Sequence, residues 1–242
     1  MKKLLRKILN KFGFDIIKII NSNDNLEKHL QNVLNSREID CIFDVGANTG
    51  QYALFLRKLG YKGYIISFEP VSSVFHKLEK NSQFDEKWHC YNFALGDKNE
   101  VKLLNVYSST VFSSFLNAND YSKTIWQSLE DVKTEPVKIY RLEDVWKELT
   151  SKLSCNNFML KLDTQGFDKN VFSGATNCLK NISVLQSELS LIEVYEAMPD
   201  TYEVLKDFNK YGFFISGMYP INRDKSLAVI EYDCVMIKKN DQ

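Results

Sequence analysis

The chain has no surplus of charge of either sign: 31 lysines and arginines stand against 31 aspartates and glutamates in 242 residues. That balance gives no global field to draw it to nucleic acid or to an acidic polymer. Long apolar runs are missing too, since the longest are strand-length, which leaves no transmembrane segment. The five cysteines, Cys41, Cys90, Cys155, Cys178 and Cys234, show no Cys-x-x-Cys and no zinc spacing. Several sit in apolar runs, so buried free thiols in a reducing, cytoplasmic compartment are the economical reading. Histidine is scarce: His29, His76 and His89 all fall away from the predicted strand edges. Internal repeats and low-complexity stretches are absent.

The length and apolar content fit one α/β domain with additions. Residues 1–38 read as a helical extension and 39–242 as the main domain. Met1 to Ile20 places Lys2, Lys3, Arg6, Lys7 and Lys11 among Leu4, Leu5, Ile8, Leu9 and Phe12 at helical spacing. It has no uninterrupted apolar core and no small-residue cleavage site, so it is not a signal peptide. Such a helix can pack on its own domain or on a partner subunit of a homo-oligomer. It can also lie on the anionic inner face of a membrane. Asn21 to Glu38 reads as a second helix.

The most informative stretch is Asp44-Val45-Gly46-Ala47-Asn48-Thr49-Gly50. It follows the apolar strand Cys41-Ile42-Phe43 and precedes a helix from Gln51 that Gly60 stops. A strand turning through glycines onto a helix N-terminus offers bare backbone N–H groups to a ligand. Asn48 or Thr49 can cap that helix. Asp44 would repel a pyrophosphate and hold a cationic amine, so a ligand with both an ammonium and a carboxylate suits the turn. The methionine part of S-adenosylmethionine is one.

A second strand, Gly63 to Phe68, ends in Glu69 and Pro70. Glu69 stands where α/β nucleotide folds put a ribose-binding carboxylate. Val71 to Lys80 is helical in pattern, Trp88 to Leu95 reads as a third strand, and Gly96-Asp97 closes it, with Asp97 placed to meet an adenine amine. Val101 to Val106 alternates as a strand. Residues 107–135 are polar but carry Phe112, Phe115, Tyr121 and Trp126, which suits a lid-like insertion. Pro136 to Tyr140 is extended and Leu142 to Leu149 helical. Phe158 to Leu162 is an apolar strand ending in Asp163-Thr164-Gln165-Gly166, with a helix beginning at Asp168. Ile182 to Leu189 is another, so Asp163 and Glu188 should sit at the carboxyl ends of neighbouring parallel strands, the ligand edge of an open α/β sheet. A helix opened by Pro199 and two strands, Phe213 to Met218 and Ala228 to Ile237, close the chain.

Taken together, Phe43 to Gln51, Ser67 to Pro70, Ala94 to Asp97 and Leu160 to Asp168 resemble the FkbM family of S-adenosylmethionine-dependent methyltransferases. So do Gln186 to Ser190 and Glu231 to Asp233. The resemblance runs from about Ile39 to Lys239. It implies a class I methyltransferase fold, Rossmann-like, with a seven-stranded, mostly parallel sheet sandwiched by helices and a reversed strand near the end. It implies O-methylation of a hydroxyl, most often on a sugar of a glycan or glycosylated metabolite. By this resemblance Asp44, Gly46, Ala47, Asn48 and Gly50 hold the methionine end, Glu69 and Pro70 the ribose, and Asp97 the adenine. The family more often has Glu where this chain has Asp168.

An alcohol acceptor must lose a proton to a base, or to a metal that acidifies it. Without a histidine at hand, Asp163 is the candidate base, with Glu188 beside it and Gln165 contacting substrate. The two carboxylates can also share a Mg²⁺ through oxygen ligands. Two other readings stand beside this one: a nicotinamide-dependent oxidoreductase, and a glycan- or partner-binding module without turnover.

Overall fold

A computed structural model describes residues 25–239. The basic N-terminal segment, Met1 to Ile20, lies outside the described residues. Helix α1 (Leu26–Ser36) comes first, its N-terminus capped by the Asn25 side chain. Then follow β1 (Cys41–Val45), α2 (Gln51–Lys58), β2 (Tyr64–Phe68), α3 (Ser72–Ser82) and β3 (Trp88–Tyr91). Strands β4 (Ala94–Leu95) and β5 (Glu100–Tyr107), helix α4 (Asp120–Ile125), strand β6 (Val132–Tyr140) and helix α5 (Leu142–Thr150) come next. The last third holds β7 (Phe158–Leu162), α6 (Asp168–Ser173), β8 (Ile182–Ser190), α7 (Thr201–Lys210), β9 (Phe213–Arg223) and β10 (Val229–Lys238).

Seven strands make one sheet in the order β3-β2-β1-β7-β8-β10-β9. The pairs from β3 to β8 are parallel, and β10 runs antiparallel between β8 and β9. That order, with its single reversed strand, is the class I methyltransferase arrangement. The chain leaves β1 toward β2 and β3 on one side and resumes at β7 on the other. The carboxyl ends of β1 and β7 therefore flank the switch point, where open α/β sheets bind ligands.

Alternation along the strands divides the core in two. Phe43, Val45, Leu160, Leu162 and Phe68 pack against α5, α6 and α7. Ile42, Ile65, Met159, Val184 and Val235 pack against α1 and α2 through Leu30, Val33, Leu34, Ala53 and Leu56. Helix α1, read from the sequence as part of an extension, thus supplies one wall of the domain core.

One expected strand divides. Trp88 to Leu95 breaks at Asn92, whose amide donates to the carbonyls of Glu69 (2.9 Å) and Pro70 (3.1 Å). Only β3 stays in the main sheet, while β4 joins β6 and β5 in a small second sheet. Because β6 begins at Val132, the insertion is shorter than 107–135. It is pinned by the bridges Asn105–Ser114 and Ala118–Tyr195. Phe112 and Trp126 pack on each other at 5.2 Å, within a cluster of Tyr107, Leu129, Val194, Tyr195 and Ile230.

Candidate active site

A row of polar side chains crosses the sheet beneath α2. Strand register aligns Ser67 with Asp44, Asp44 with Lys161, and Lys161 with Gln186. All four are buried. Such a row persists in a doubly covered sheet only if its members satisfy one another. Trp88 Nε1 donates to Ser67 Oγ (2.9 Å), and Ser67 Oγ donates to Asp44 Oδ2 (3.1 Å). The Lys161 ammonium sits 3.0 Å from Asp44 Oδ1, 3.2 Å from Asp163 Oδ2 and 3.4 Å from the Gly46 carbonyl. Burial opposes its charge, yet Asp163 and Asp44 together hold its pKa above the ordinary lysine value. Above it, Tyr52 donates to Gln186 Oε1 (2.6 Å), and Gln186 Nε2 donates to Asp233 Oδ1 (2.9 Å).

Past this row, at the carboxyl edge, lies a cavity of about 460 Å³, within the ~300–1,000 Å³ of small-molecule sites. It runs along the strand ends from Glu69 and Pro70, past Gly46, Ala47 and Asn48, to Asp163, Gln165, Glu188 and Asp233. Leu95, Leu104 and Phe115 wall one end, and Leu26, Phe55 and Ile221 the other. Four carboxylates line it against one lysine, and that lysine is already paired. Burial raises the pKa of Glu188 well above the usual range, with Asp163, Glu231 and Asp233 adding to the effect. Burial also raises Asp233. It pushes Glu69 up to about 7, although N–H bonds from Val71 and Asn48 pull the other way.

Asp163 and Glu188 come together as their strand ends require. Gln165 spans them, Nε2 donating to Asp163 Oδ1 (3.1 Å) and to Glu188 Oε1 (3.0 Å). Gln165 adopts a left-handed backbone (φ 52°), which turns its side chain back over the sheet edge. Gly46, at φ 77°, lies so close to β7 that a Cβ there would run into the Asp163 carbonyl oxygen.

Several sequence expectations change. Asp44 is fully buried as the counter-ion of Lys161 and is not on the cavity wall, because its alternation parity turns it under α2. Gly50 is also off the wall. It is the N-cap of α2 at φ 91°, and a Cβ there would come within 2.6 Å of the Trp88 ring. Neither Asn48 nor Thr49 caps that helix, and most of the turn's N–H groups are spent. Gly46 and Ala47 donate to the Phe68 carbonyl, Asn48 to Glu69 Oε2 (2.9 Å), and Thr49 to Asn48 Oδ1. Asp97 is off the cavity as well, accepting from Asn170 Nδ2 at 3.2 Å. Asp168 is structural: it accepts from Ser187 Oγ (2.5 Å) and from the Thr164 N–H and hydroxyl, tying the turn to β8.

A Mg²⁺ shared by Asp163 and Glu188 finds no support in the donor set. Gln165 and Lys161 take both Asp163 oxygens, and Gln165 takes one of Glu188. Among the described residues no three His, Cys, Asp or Glu side chains gather to hold a metal. The histidines keep away too. His29 meets Ser216 Oγ at 3.0 Å, His76 is exposed, and His89 stacks on Tyr64. All five cysteines are free, with pKa values raised by burial.

Sequence reasoning gave no site role to Lys161, Tyr52, Gln186, Asp233 or Tyr195, although Lys161, Gln186 and Asp233 lie in the segments that carry the resemblance. One signal was available: a lone lysine inside the apolar strand Phe158–Leu162 must have a buried counter-ion.

The cavity suits S-adenosylmethionine on its own chemistry, because an acid-rich floor favours a sulfonium and an ammonium over a pyrophosphate. A search of curated proteins returns no match. Among solved structures, a protein of the NADB-Rossmann superfamily from Streptococcus agalactiae superposes with a TM-score of 0.48 at 13% identity, over 92% of this chain and 73% of that one. An rRNA methylase from Streptococcus thermophilus gives 0.47 at 7% identity, over 89% and 98%. Aeropyrum pernix fibrillarin, with natively bound S-adenosyl-L-methionine, gives 0.44 at 9% identity, over 82% and 66%. The model of the methyltransferase FkbM domain matches residues 44–215, more than half the chain. With that match and the strand order of its sheet, the chain belongs to the FkbM family of S-adenosylmethionine-dependent methyltransferases.

Proposed function

We propose that the protein is an O-methyltransferase acting on a hydroxyl of a sugar in a glycan or glycosylated metabolite. The observation that carries this reading is the Asp163–Gln165–Glu188 cluster on the wall of an acid-floored cavity. Bound along this edge, S-adenosylmethionine would supply a methyl group activated on a sulfonium.

Glu69 and Pro70 hold the ribose end, while Gly46, Ala47 and Asn48 leave room for the methionine end beside Asp163. Glu188 suits the base better than Asp163 does. Its Oε1 is held by Gln165, and burial raises its proton affinity, which strengthens it as a base once it is ionised. Asp163, with both oxygens occupied, steadies Gln165 and Lys161. Tyr52, Phe55 and Ile221 with Gln186 and Asp233 give the far end an apolar wall and a polar floor, which suits a hydroxylated ring.

Free thiols support a reducing, cytoplasmic setting, and the N-terminal basic segment supports contact with an anionic membrane face, testable by liposome flotation. Among the described residues no helix is long and apolar enough to cross a membrane. The function is tested by incubating the protein with radiolabelled S-adenosylmethionine and an extract of cell-surface glycan precursors. Label should enter the glycan fraction; label no greater than with Glu188→Gln would overturn the reading.

A further inference from the structure

We infer that Tyr195 is a positioning residue for methyl transfer, acting through the Gln165 amide on the Asp163–Glu188 pair. This rests on the function proposed above. Tyr195 is 1% exposed, and its ring is packed among Tyr107, Leu129 and Ile230. Its hydroxyl lies 2.9 Å from Gln165 Oε1 and 2.9 Å from the carbonyl oxygen of Phe112.

The chemistry fixes which way the amide faces. Asp163, ion-paired with Lys161, only accepts hydrogen bonds, so the Gln165 NH₂ group must face it, and the same group reaches Glu188. That leaves the amide oxygen toward Tyr195, which supplies the donor. Without this donor the oxygen, half-buried at the cavity wall, loses its protein partner, and the amide is freer to rotate away from the carboxylates. The tyrosine has one hydroxyl hydrogen and two acceptors. Phe112, in the capping segment, therefore draws on the same proton that orients Gln165. Ser114, two residues on, donates to the Gln165 carbonyl at 2.6 Å, so the segment grips this turn by its backbone as well. The seating of the cap and the alignment of the carboxylates are thus joined at Tyr195.

Tyr195→Phe keeps the ring in its cluster and removes only the hydroxyl. The direct readout is the side-chain ¹⁵N–¹H₂ signal of Gln165 in the full chain, identified by its loss in Gln165→Met. In Tyr195→Phe that signal should shift, and its exchange with solvent should quicken on the order of 10-fold, with calorimetric S-adenosylmethionine affinity close to wild type and the thermal midpoint lowered by the few degrees that one lost buried hydrogen bond entails. Initial label transfer into the same glycan-precursor extract should fall about 10- to 100-fold. The double variant Tyr195→Phe, Gln165→Met should be no slower than Gln165→Met alone, since the hydroxyl has then lost the group it acts through. A Gln165 signal identical to wild type in Tyr195→Phe, or rate losses that multiply in the double variant, would overturn the inference. If wild-type protein transfers no label, the proposed function falls, and the amide signal alone decides the placement of Gln165 by Tyr195.

Discussion

Replacing Asp44 with asparagine separates two roles for this residue, ligand of the cofactor ammonium and counter-ion of a buried lysine. The structure favours the second, since Asp44 is fully buried 3.0 Å from Lys161, whose side chain is 6% exposed. Removing one member of a buried ion pair costs about 3–5 kcal/mol, because the other charge is left uncompensated. Here Asp163 remains 3.2 Å from the ammonium, with its side chain 32% exposed, so part of the compensation survives. Asparagine can also keep the hydrogen bond from Ser67. The lower end, about 3 kcal/mol, is therefore expected. Adding Lys161→Met removes the stranded charge and should recover a good part of that loss. The assay is urea unfolding, read as a shift of midpoint at constant slope. An Asp44→Asn protein as stable as wild type that had lost S-adenosylmethionine binding would refute this reasoning and restore Asp44 as a direct ligand.

Three further outcomes are expected. Glu188→Gln should lower methyl transfer by about 10²–10⁴-fold while calorimetric S-adenosylmethionine affinity stays near wild type; equal turnover would remove Glu188 as the base. Asp97→Ala should leave cofactor affinity unchanged, because Asp97 faces Asn170 outside the cavity. Stability without cofactor should fall as pH rises from 5 to 8. Glu69, Glu188, Glu231 and Asp233 have pKa values raised by burial, Glu69 to about 7, so in that window the folded chain holds protons the unfolded chain has released. Their contribution is full below the ordinary carboxylate range and is lost as pH passes upward through the folded values. Among the described residues, His29, lowered by burial, pulls the other way in this window. A thermal midpoint that rises from pH 5 to pH 8 would contradict this.

The sheet was largely legible because its strands are short apolar runs punctuated by glycine or proline, and Asp163 and Glu188 fell at adjacent ends as their positions require. The second sheet was not. Asn92 breaks what looks like one strand by bonding to backbone carbonyls of a distant turn, which local pattern does not record. The burial of Asp44 was hidden for a related reason. The motif marks an acid before a glycine bend, but two-residue alternation decides which face it takes, and only the register with Lys161 shows that the face is covered. Of the insertion's aromatics, Phe112 and Trp126 pack on each other in the cluster that holds Tyr195, and Phe115 packs on Phe167, contacts made by tertiary structure far along the chain.

The most direct test of the central claim, an acid-floored cavity that takes a cationic nucleoside, is calorimetric titration with S-adenosylmethionine and, separately, with NAD⁺. S-adenosylmethionine should bind at one site per chain and lose that site in Glu69→Ala, while NAD⁺ gives no binding heat. Saturable NAD⁺ binding, or S-adenosylmethionine affinity indifferent to Glu69, would contradict it.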